Sequence, residues 1–349
     1  MQVYLNMAPE PLVTIAIPNW NGRHHLERCL PAVQALRGVL FETIVVDNGS
    51  TDGSRELVRA RFPWVRLITN PWNLGFARAL NQAIRASTAR YVAALNNDTV
   101  PHPDWLCRLV EAAEQDPRAG SCASRMVFDS HPHLIQSAGI ALNRAGIAWD
   151  RCVGEADRTP PNAPPEEVFG ASAGAALYRR AMLDEIGLFD ERFGSYLEDV
   201  DLAWRARLAG WRCLYVPAAV VRHAHSATGG EGSPFKNFHL GRNKLWCITK
   251  NYPWPQLLWN LPVIVLYDLG SLPYTVILKR DPSPLAGRLA ALRGLGPMLE
   301  ERRRMQRMRR ISWQEFAGLL APLEPPRTLF RRYRVTREIA AGRDPAHAL

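Results

Sequence analysis

Four short aliphatic runs, spaced by stretches of helical pattern, constrain this chain more than any other feature. Residues 12–17 (LVTIAI) stop at Pro18, residues 43–46 (TIVV) stop at Asp47, and residues 91–95 (YVAAL) stop at Asn96-Asn97-Asp98. A further run at 65–69 (VRLIT) precedes a helical pattern over 76–86, and similar patterns cover 24–36 and about 103–115. Near-continuous apolar strands alternating with helices predict a parallel sheet covered on both faces. Sheets of that kind bind ligands beyond the carboxyl ends of their strands.

The polar residues stand at those ends. The first run leads into Pro18-Asn19-Trp20-Asn21-Gly22, and the second into Asp47-Asn48-Gly49-Ser50-Thr51-Asp52-Gly53. This is a nucleotide-binding layout, but neither G-x-G-x-x-G nor G-x-x-x-x-G-K-[ST] is present, which disfavours dinucleotide oxidoreductases and P-loop NTPases. A second informative stretch begins at Phe169. Its small residues Gly170, Ala171, Ser172, Ala173, Gly174 and Ala175 let a backbone or ligand approach closely. Glu198-Asp199-x-Asp201 then precedes a helical pattern that Gly210 is placed to end.

Charge divides the chain. Of 43 Lys+Arg and 33 Asp+Glu, residues 279–349 hold 16 and 7, a net of +9, which leaves 27 and 26, a net of +1, for the rest. Just before the basic part, residues 251–278 carry Asp268 as their single charged side chain. An apolar stretch followed at once by a basic one fits an anionic membrane surface better than a nucleic-acid groove. Asp268, Asn260 and internal prolines 255, 262 and 273 argue for lying on or re-entering the membrane over spanning it, with an ordinary buried helical pair as the alternative. The charged segment 299–311 is too polar for a core element, which leaves a solvated face, lipid contact or nucleic acid. A chain ending at Asn251 is expected to remain soluble. The start, MQVYLNMAPEPLV, carries no pattern of a secretory signal, and six scattered cysteines without C-x-x-C read as reduced thiols.

Six segments in order, IPNWNG (17–22), VVDNGSTDGS (45–54), NLGFARALNQAI (73–84), LNNDT (95–99), GLFDERFGSYLEDVDLAWRARLAGW (187–211) and RHAHSAT (222–228), resemble the inverting glycosyltransferase family 2, and most of all its bacterial rhamnosyltransferase-like members. The resemblance implies the GT-A fold: an α/β, Rossmann-like, mostly parallel sheet, here with a helical, basic, membrane-associating C-terminal appendage. It places the catalytic domain at 1–235 and the helical region at 236–349, with apolar segment 251–278 and basic tail 279–349.

The resemblance also implies roles. Asp47 would hold the nucleobase of a nucleotide diphosphate sugar, with Pro18, Asn19, Asn21, Asn73, Arg78, Asn97 and Asp98 around the donor; bracing of the Asn-Gly-Ser turn is the alternative for Asp47 and Asp52. Asp98, with His223 and less surely His225, would hold Mg2+ or Mn2+. The family motif is D-x-D, and Asn96 stands in place of its first acid, so a single carboxylate leaves the cation largely to the diphosphate and water. Asp199 would be the general base and Glu198 its support, whereas Asp201 pairs with Arg205 or caps the helix. Trp204 and Trp211 read as core. Arg242 and Lys244 would face a phosphate or be solvated; no Q-x-x-R-W of processive synthases occurs. The donor best matched is dTDP-rhamnose and the acceptor a lipid-linked or cell-surface glycan. The protein would be cytoplasmic and peripheral on the inner face of the membrane. A nucleotidyltransferase or a non-catalytic sugar or nucleic-acid binder is the alternative.

Overall fold

The computed structural model describes residues 10–160, 162–224, 230 and 232–343. The first half follows the expected alternation: β1 (Val13–Asn19), α1 (Arg23–Gln34), β2 (Phe41–Asp47), α2 (Ser54–Arg61), β3 (Arg66–Thr69), α3 (Phe76–Ala86), β4 (Tyr91–Leu95), β5 (Thr99–Pro101) and α4 (Trp105–Gln115). Then come β6 (Ala119–Phe128), β7 (Ile135–Ser137), β8 (Ile140–Leu142), β9 (Ala148–Asp150), β10 (Glu166–Val168), β11 (Ala175–Arg179), α5 (Arg180–Ile186), α6 (Glu198–Leu208) and β12 (Arg212–His223). Six helices end the chain: α7 (Pro234–Asn251), α8 (Trp254–Gly270), α9 (Ser283–Arg293), α10 (Leu295–Met308), α11 (Trp313–Gly318) and α12 (Pro326–Ala340).

The main sheet runs β10-β12-β6-β11-β4-β1-β2-β3. β3, β2, β1 and β4 are parallel, β11 is antiparallel to both β4 and β6, and β6 is parallel to β12. Every residue of β4 and β11 is buried, as strands covered on two faces must be. One face packs on α1, α2 and α4 through Leu30, Leu57 and Trp105, and the other on α3, α5 and α6 through Leu80, Leu183 and Leu202.

Asp199 and Asp201 lie inside the first turn of α6, one step earlier than the pattern suggested. That helix ends in a Schellman turn: Gly210, at φ +87°, donates to Arg207 O and Trp211 N–H to Ala206 O. The C-terminal helices close over α6. Trp204, fully buried, stacks on Phe316 of α11 with Tyr252 edge-on, and Met298 of α10 joins this core. Removal of 252–349 would uncover these aromatics, which stands against the expectation of a soluble chain ending at Asn251. Nor is α10 merely a solvated face: Arg302 is buried, donating to Thr249 O (2.7 Å) over the Trp254 ring.

A buried ionic knot fixes α7 to α6. Lys250 Nζ donates to Asp201 (3.0 Å) and Asp190 (2.7 Å), while Arg205 and Asn251 also donate to Asp201. Lys250→Met would leave Asp201 and Asp190 short of a buried cation. We expect a loss of about 3 kcal/mol in chemical denaturation, and a loss below 1 kcal/mol would mean that Arg205 on Asp201 (2.9 Å) and Arg192 on Asp190 (2.6 Å) suffice.

α8 is built inside out. Its buried residues at four-residue spacing are Asn260, Ile264 and Asp268, whereas Leu258, Trp259, Val265, Leu266 and Leu269 are exposed. Asp268 is paired with Lys244 Nζ (3.2 Å) and Arg288 Nε (2.7 Å). This accounts for the lone charge in the apolar segment, and it removes Lys244 from any phosphate-binding role. Arg242 is likewise occupied, donating to Phe193 O (2.8 Å) across the Trp246 ring.

Candidate active site

The ends of β1 and β2 form one hydrogen-bonded floor. Asn19 donates through Nδ2 to Asp47 Oδ2 (3.1 Å) and accepts through Oδ1 from Asn97 Nδ2 (2.7 Å). Asp47 Oδ1 accepts from Arg55 Nε (2.6 Å) and from Ser50 N–H (3.0 Å). The bracing role is thus present, and one acceptor position remains on Oδ2 for a ligand. Asn21 joins the same floor, donating from its backbone to Ser50 Oγ (2.9 Å) and accepting from Thr51 N–H (2.9 Å). Gly22 permits this packing, since a Cβ there would lie 2.1 Å from Asn97 Nδ2. Pro18 is half-buried, level with Val46 of β2. Asp52 accepts from Arg23 and Ser54 N–H groups, a purely local brace.

Asn73 stands exposed at the rim, accepting from Gly75 N–H (2.9 Å). Arg78 is half-exposed on α3 and is paired with Glu191 (3.6 Å). Gly75 still matters to the site's shape. Asn48 Nδ2 donates to its carbonyl, and a Cβ on it would meet Gly194 Cα at 3.3 Å, so the start of α3 lies against the approach to α6.

The register of β5 on β12 pairs Thr99 with His223 and so sets Asp98 beside it. His223 Nε2 lies 3.0 Å from Asp98 Oδ1, and Nδ1 lies 2.8 Å from Gln136 Oε1. Two acceptors on one ring are the pattern of an imidazolium. Burial opposes that charge, but the Asp98 carboxylate outweighs it and raises the His223 pKa. Burial likewise opposes ionised Asp98, and His223 with His25 outweighs it, so Asp98 is held below the usual carboxylate range.

The oxygen of Asn96 is buried with no hydrogen-bond partner among the described residues, and its Nδ2 lies 3.4 Å from His223 Nε2. An orphaned amide oxygen beside a carboxylate, joined by the His223 imidazole once the cation displaces its Nε2 proton, is a donor set that a hard divalent cation fits. No three His, Cys, Asp or Glu are grouped as metal ligands among the described residues, so a cation here would need oxygens from the donor. His225 lies outside the described residues.

Asp199 reaches the same place from the opposite direction. Its carboxylate accepts from Ala173 N–H (3.1 Å) and Val200 N–H (2.8 Å). The next residue, Gly174, accepts from Asn96 N–H (2.8 Å), and a Cβ on it would lie 3.4 Å from Asn96 Nδ2 and 3.7 Å from His223 Cε1. Two peptide units therefore separate the Asp199 contact from the Asp98–His223 pair. Burial, helped by the Asp150 charge, raises the Asp199 carboxyl to about 6 despite the two N–H bonds. Glu198 is buried, its Oε2 has no hydrogen-bond partner among the described residues, and burial together with Asp199 pushes its pKa well up. The positive end of α6 favours ionised acids, but desolvation outweighs it at both positions. Asp201 is tied into the ionic knot, and Trp204 is core; Trp211 donates to Glu185.

Sequence reasoning missed Gln136, His25 and Asp150. None lies in a matched segment that drew attention to it, and the last two are recognised only through the charges they present to Asp98, Asp199 and His223.

Residues 14–187 match the family model described as glycosyl transferase family 2. The chain is 31% identical over 265 residues to N-acetylglucosaminyl-diphospho-decaprenol L-rhamnosyltransferase of Mycobacterium tuberculosis, covering 68% of this chain and 83% of that protein. It is 26% identical over 213 residues to poly-beta-1,6-N-acetyl-D-glucosamine synthase of Staphylococcus aureus, covering 60% of this chain and 48% of that one. In fold it is similar to the mannosyltransferase PcManGT of Pyrobaculum calidifontis, solved with GDP-Man and Mn2+ (TM-score 0.54, 21% identity, 97% of this chain and 87% of that one). It is also similar to S. aureus TarS 1-349 (TM-score 0.53, 15% identity, 84% of this chain and 87% of that one). The sheet order, the site at its strand ends and these matches agree: the chain belongs to glycosyl transferase family 2 and is a glycosyltransferase of the GT-A fold that uses nucleotide-sugar donors.

Proposed function

We propose that the protein is an inverting, metal-dependent transferase that moves a sugar, rhamnose from dTDP-rhamnose, onto a lipid-linked glycan acceptor. The observation that carries this reading is the link from Asp199 through Ala173–Gly174 to Asn96, Asp98 and His223. It sets Asp199 and the Asp98–His223 pair along one short stretch of backbone, which supports a shared site for a base and a cation. Asp47 and Asn19, with Pro18, Asn21 and Asn97 around them, bind the nucleotide, and Asn73 and Arg78 contribute from the rim. Asp98, His223 and the Asn96 oxygen would hold Mg2+ or Mn2+, which supplies charge neutralisation to the departing diphosphate. Asp199 takes the proton from the acceptor hydroxyl as it attacks. Glu198, buried next to Asp199 and with its pKa pushed up by burial and by that charge, supports the base. The rhamnosyl donor and the lipid diphosphate acceptor rest on the mycobacterial relative's activity.

The inside-out α8 supports a peripheral seat on the cytoplasmic face of an anionic membrane. Residues 254–277 form the one described helix long and apolar enough to cross a bilayer, yet its Asp268 is already paired to the protein on one side. The exposed Trp259 and Leu266 with the basic residues after 279 suit an interface. Beside α8 a cavity of about 750 Å3 is lined by Trp259, Leu320, Pro322 and Arg144. We take 1–235 as the catalytic unit and 236–349 as the membrane-facing one, without nucleic acid as a partner.

Two experiments test the reading. Nucleotide sugars are screened, with Mn2+, Mg2+ or EDTA, for donor hydrolysis and for transfer to N-acetylglucosaminyl-diphospho-prenol; dTDP-rhamnose is expected to lead, and equal turnover in EDTA would remove the cation from the mechanism. In flotation on phosphatidylglycerol vesicles, Trp259→Glu/Leu266→Glu is expected to release most of the protein while donor hydrolysis stays within twofold. Undiminished flotation would place the membrane contact elsewhere.

A further inference from the structure

The chain enters α6 by way of a left-handed backbone. Gly194, Tyr196 and Leu197 take positive φ (+72°, +68° and +65°), and of these only the first is a glycine. That conformation is disfavoured for a residue with a Cβ, and two such residues in succession persist only where the surroundings hold them. Leu197 is the N-cap of α6 and makes no side-chain cap bond, so the first turn, which carries Asp199, takes its direction from this strained entry.

The support comes from α7. Asn243 is fully buried, and its Nδ2 donates to Phe193 O (3.1 Å), Ser195 O (3.0 Å) and Tyr196 O (2.7 Å). Its Oδ1 accepts from Arg242 Nε (2.9 Å), which fixes the orientation of the amide. One turn further along α7, Cys247 Sγ donates to Leu197 O (3.6 Å). The carbonyl that α7 leaves out, Gly194 O, accepts from Ala77 N–H (3.0 Å) at the start of α3. Each carbonyl from 193 to 197 is thus held from outside the segment, and Asn243 takes most of them.

We propose that Asn243 is a positioning residue, which holds the left-handed entry at Tyr196 and Leu197 and so aims the Asp199 carboxylate at the acceptor hydroxyl. The inference rests on the reading of Asp199 as the base and deepens it. Being fully buried, Asn243 acts through the backbone that leads into α6. An amide suits the place, because it gives two hydrogens to carbonyls and an oxygen to Arg242. Displacing a catalytic group by about 1 Å costs on the order of 10²-fold in rate, so a loosened entry is felt in turnover while the nucleotide floor at β1 and β2 is untouched.

The test is a double-mutant cycle on the full chain, with Mn2+ and the nucleotide sugar it hydrolyses fastest, dTDP-rhamnose being expected. Rates are counted per site that binds dTDP, which removes any loss of folded protein. Asn243→Ala is expected to lose about 10²-fold in kcat, with donor KM within twofold. Asn243→Gln keeps the donor hydrogens on an arm one methylene longer; it should lose about tenfold and decides the matter where the alanine variant does not fold. In the Asp199→Asn background neither substitution should cost more than twofold further, because groups that act through one side chain do not add. A merely structural amide would leave kcat per site near the wild type, or take the same factor from both backgrounds, and either result overturns the assignment. If Asp199→Asn itself keeps wild-type turnover, the base reading fails and the positioning role falls with it. An additive cycle beside an inactive Asp199→Asn removes Asn243 alone.

Discussion

Asp199→Asn will bind dTDP in the presence of Mn2+ as the wild type does, and will lose transfer by about 10²–10⁴-fold in kcat, the usual contribution of a positioned base. The amide keeps its oxygen for the Ala173 N–H, gives up the bond to Val200 N–H and adds no volume, so the nucleotide floor is untouched while the proton acceptor is gone. Calorimetric binding of dTDP alongside turnover separates the two effects. Turnover within tenfold of the wild type in this variant defeats the base assignment. The wild-type pH profile offers an independent check. Burial lifts the Asp199 carboxyl to about 6, so the proton stays on until the pH passes that value. Activity should therefore rise through pH 6 toward a plateau above 7, and fall as pH drops through the same range. A rate that is still full at pH 4.5 would mean that a carboxyl of ordinary acidity, or none, accepts the proton.

Much of this arrangement was legible in the sequence because local rules and the tertiary fold agree there. β1, β2 and β4 are continuous apolar runs, and their ends coincide with the polar clusters at Asn19, Asp47 and Asn96. The pairing of Asp201 with Arg205 follows helical spacing alone. The stretch between α4 and β11 gave no such signal. β7, β8, β9 and β10 have three residues each, too short for alternation to show, and they are held by pairing with distant strands and loops. Asp150 sits in one of them, which is why a carboxylate whose charge acts on Asp199 escaped notice. Arg242 and Lys244 were misjudged for another reason: a cation in a helical stretch looks free until its partner is known, and Asp268 lies 24 residues from Lys244. The direction of the Asp199 and Glu198 shifts also depends on burial, which the first turn of a helix does not reveal.

Asp98→Ala should cost as much as the base substitution, but through a different quantity. Charge neutralisation at a leaving diphosphate is worth several kcal/mol, and about 4 kcal/mol corresponds to roughly 10³-fold in rate. Among the described residues no second carboxylate joins Asp98 and His223 in a group of metal ligands, so no neighbouring acid is placed to replace it. The affinity for dTDP measured with Mn2+ should therefore drop toward the value measured in EDTA, whereas Asp199→Asn leaves that difference intact. His223→Ala should lower the same difference, and the double variant should be no worse than the more damaged single one. The two side chains meet at 3.0 Å, and groups that act on one ion as a unit do not add. The converse change is a sharper probe. Asn96→Asp places a second carboxylate where the unpartnered amide oxygen lies, so Mn2+ binding in the absence of nucleotide should tighten by tenfold or more. If Asp98→Ala keeps its full EDTA-sensitive gain in dTDP affinity, or if Asn96→Asp leaves cation binding unmoved, the ion is held elsewhere and the cluster beside Gly174 serves only to brace the strand ends.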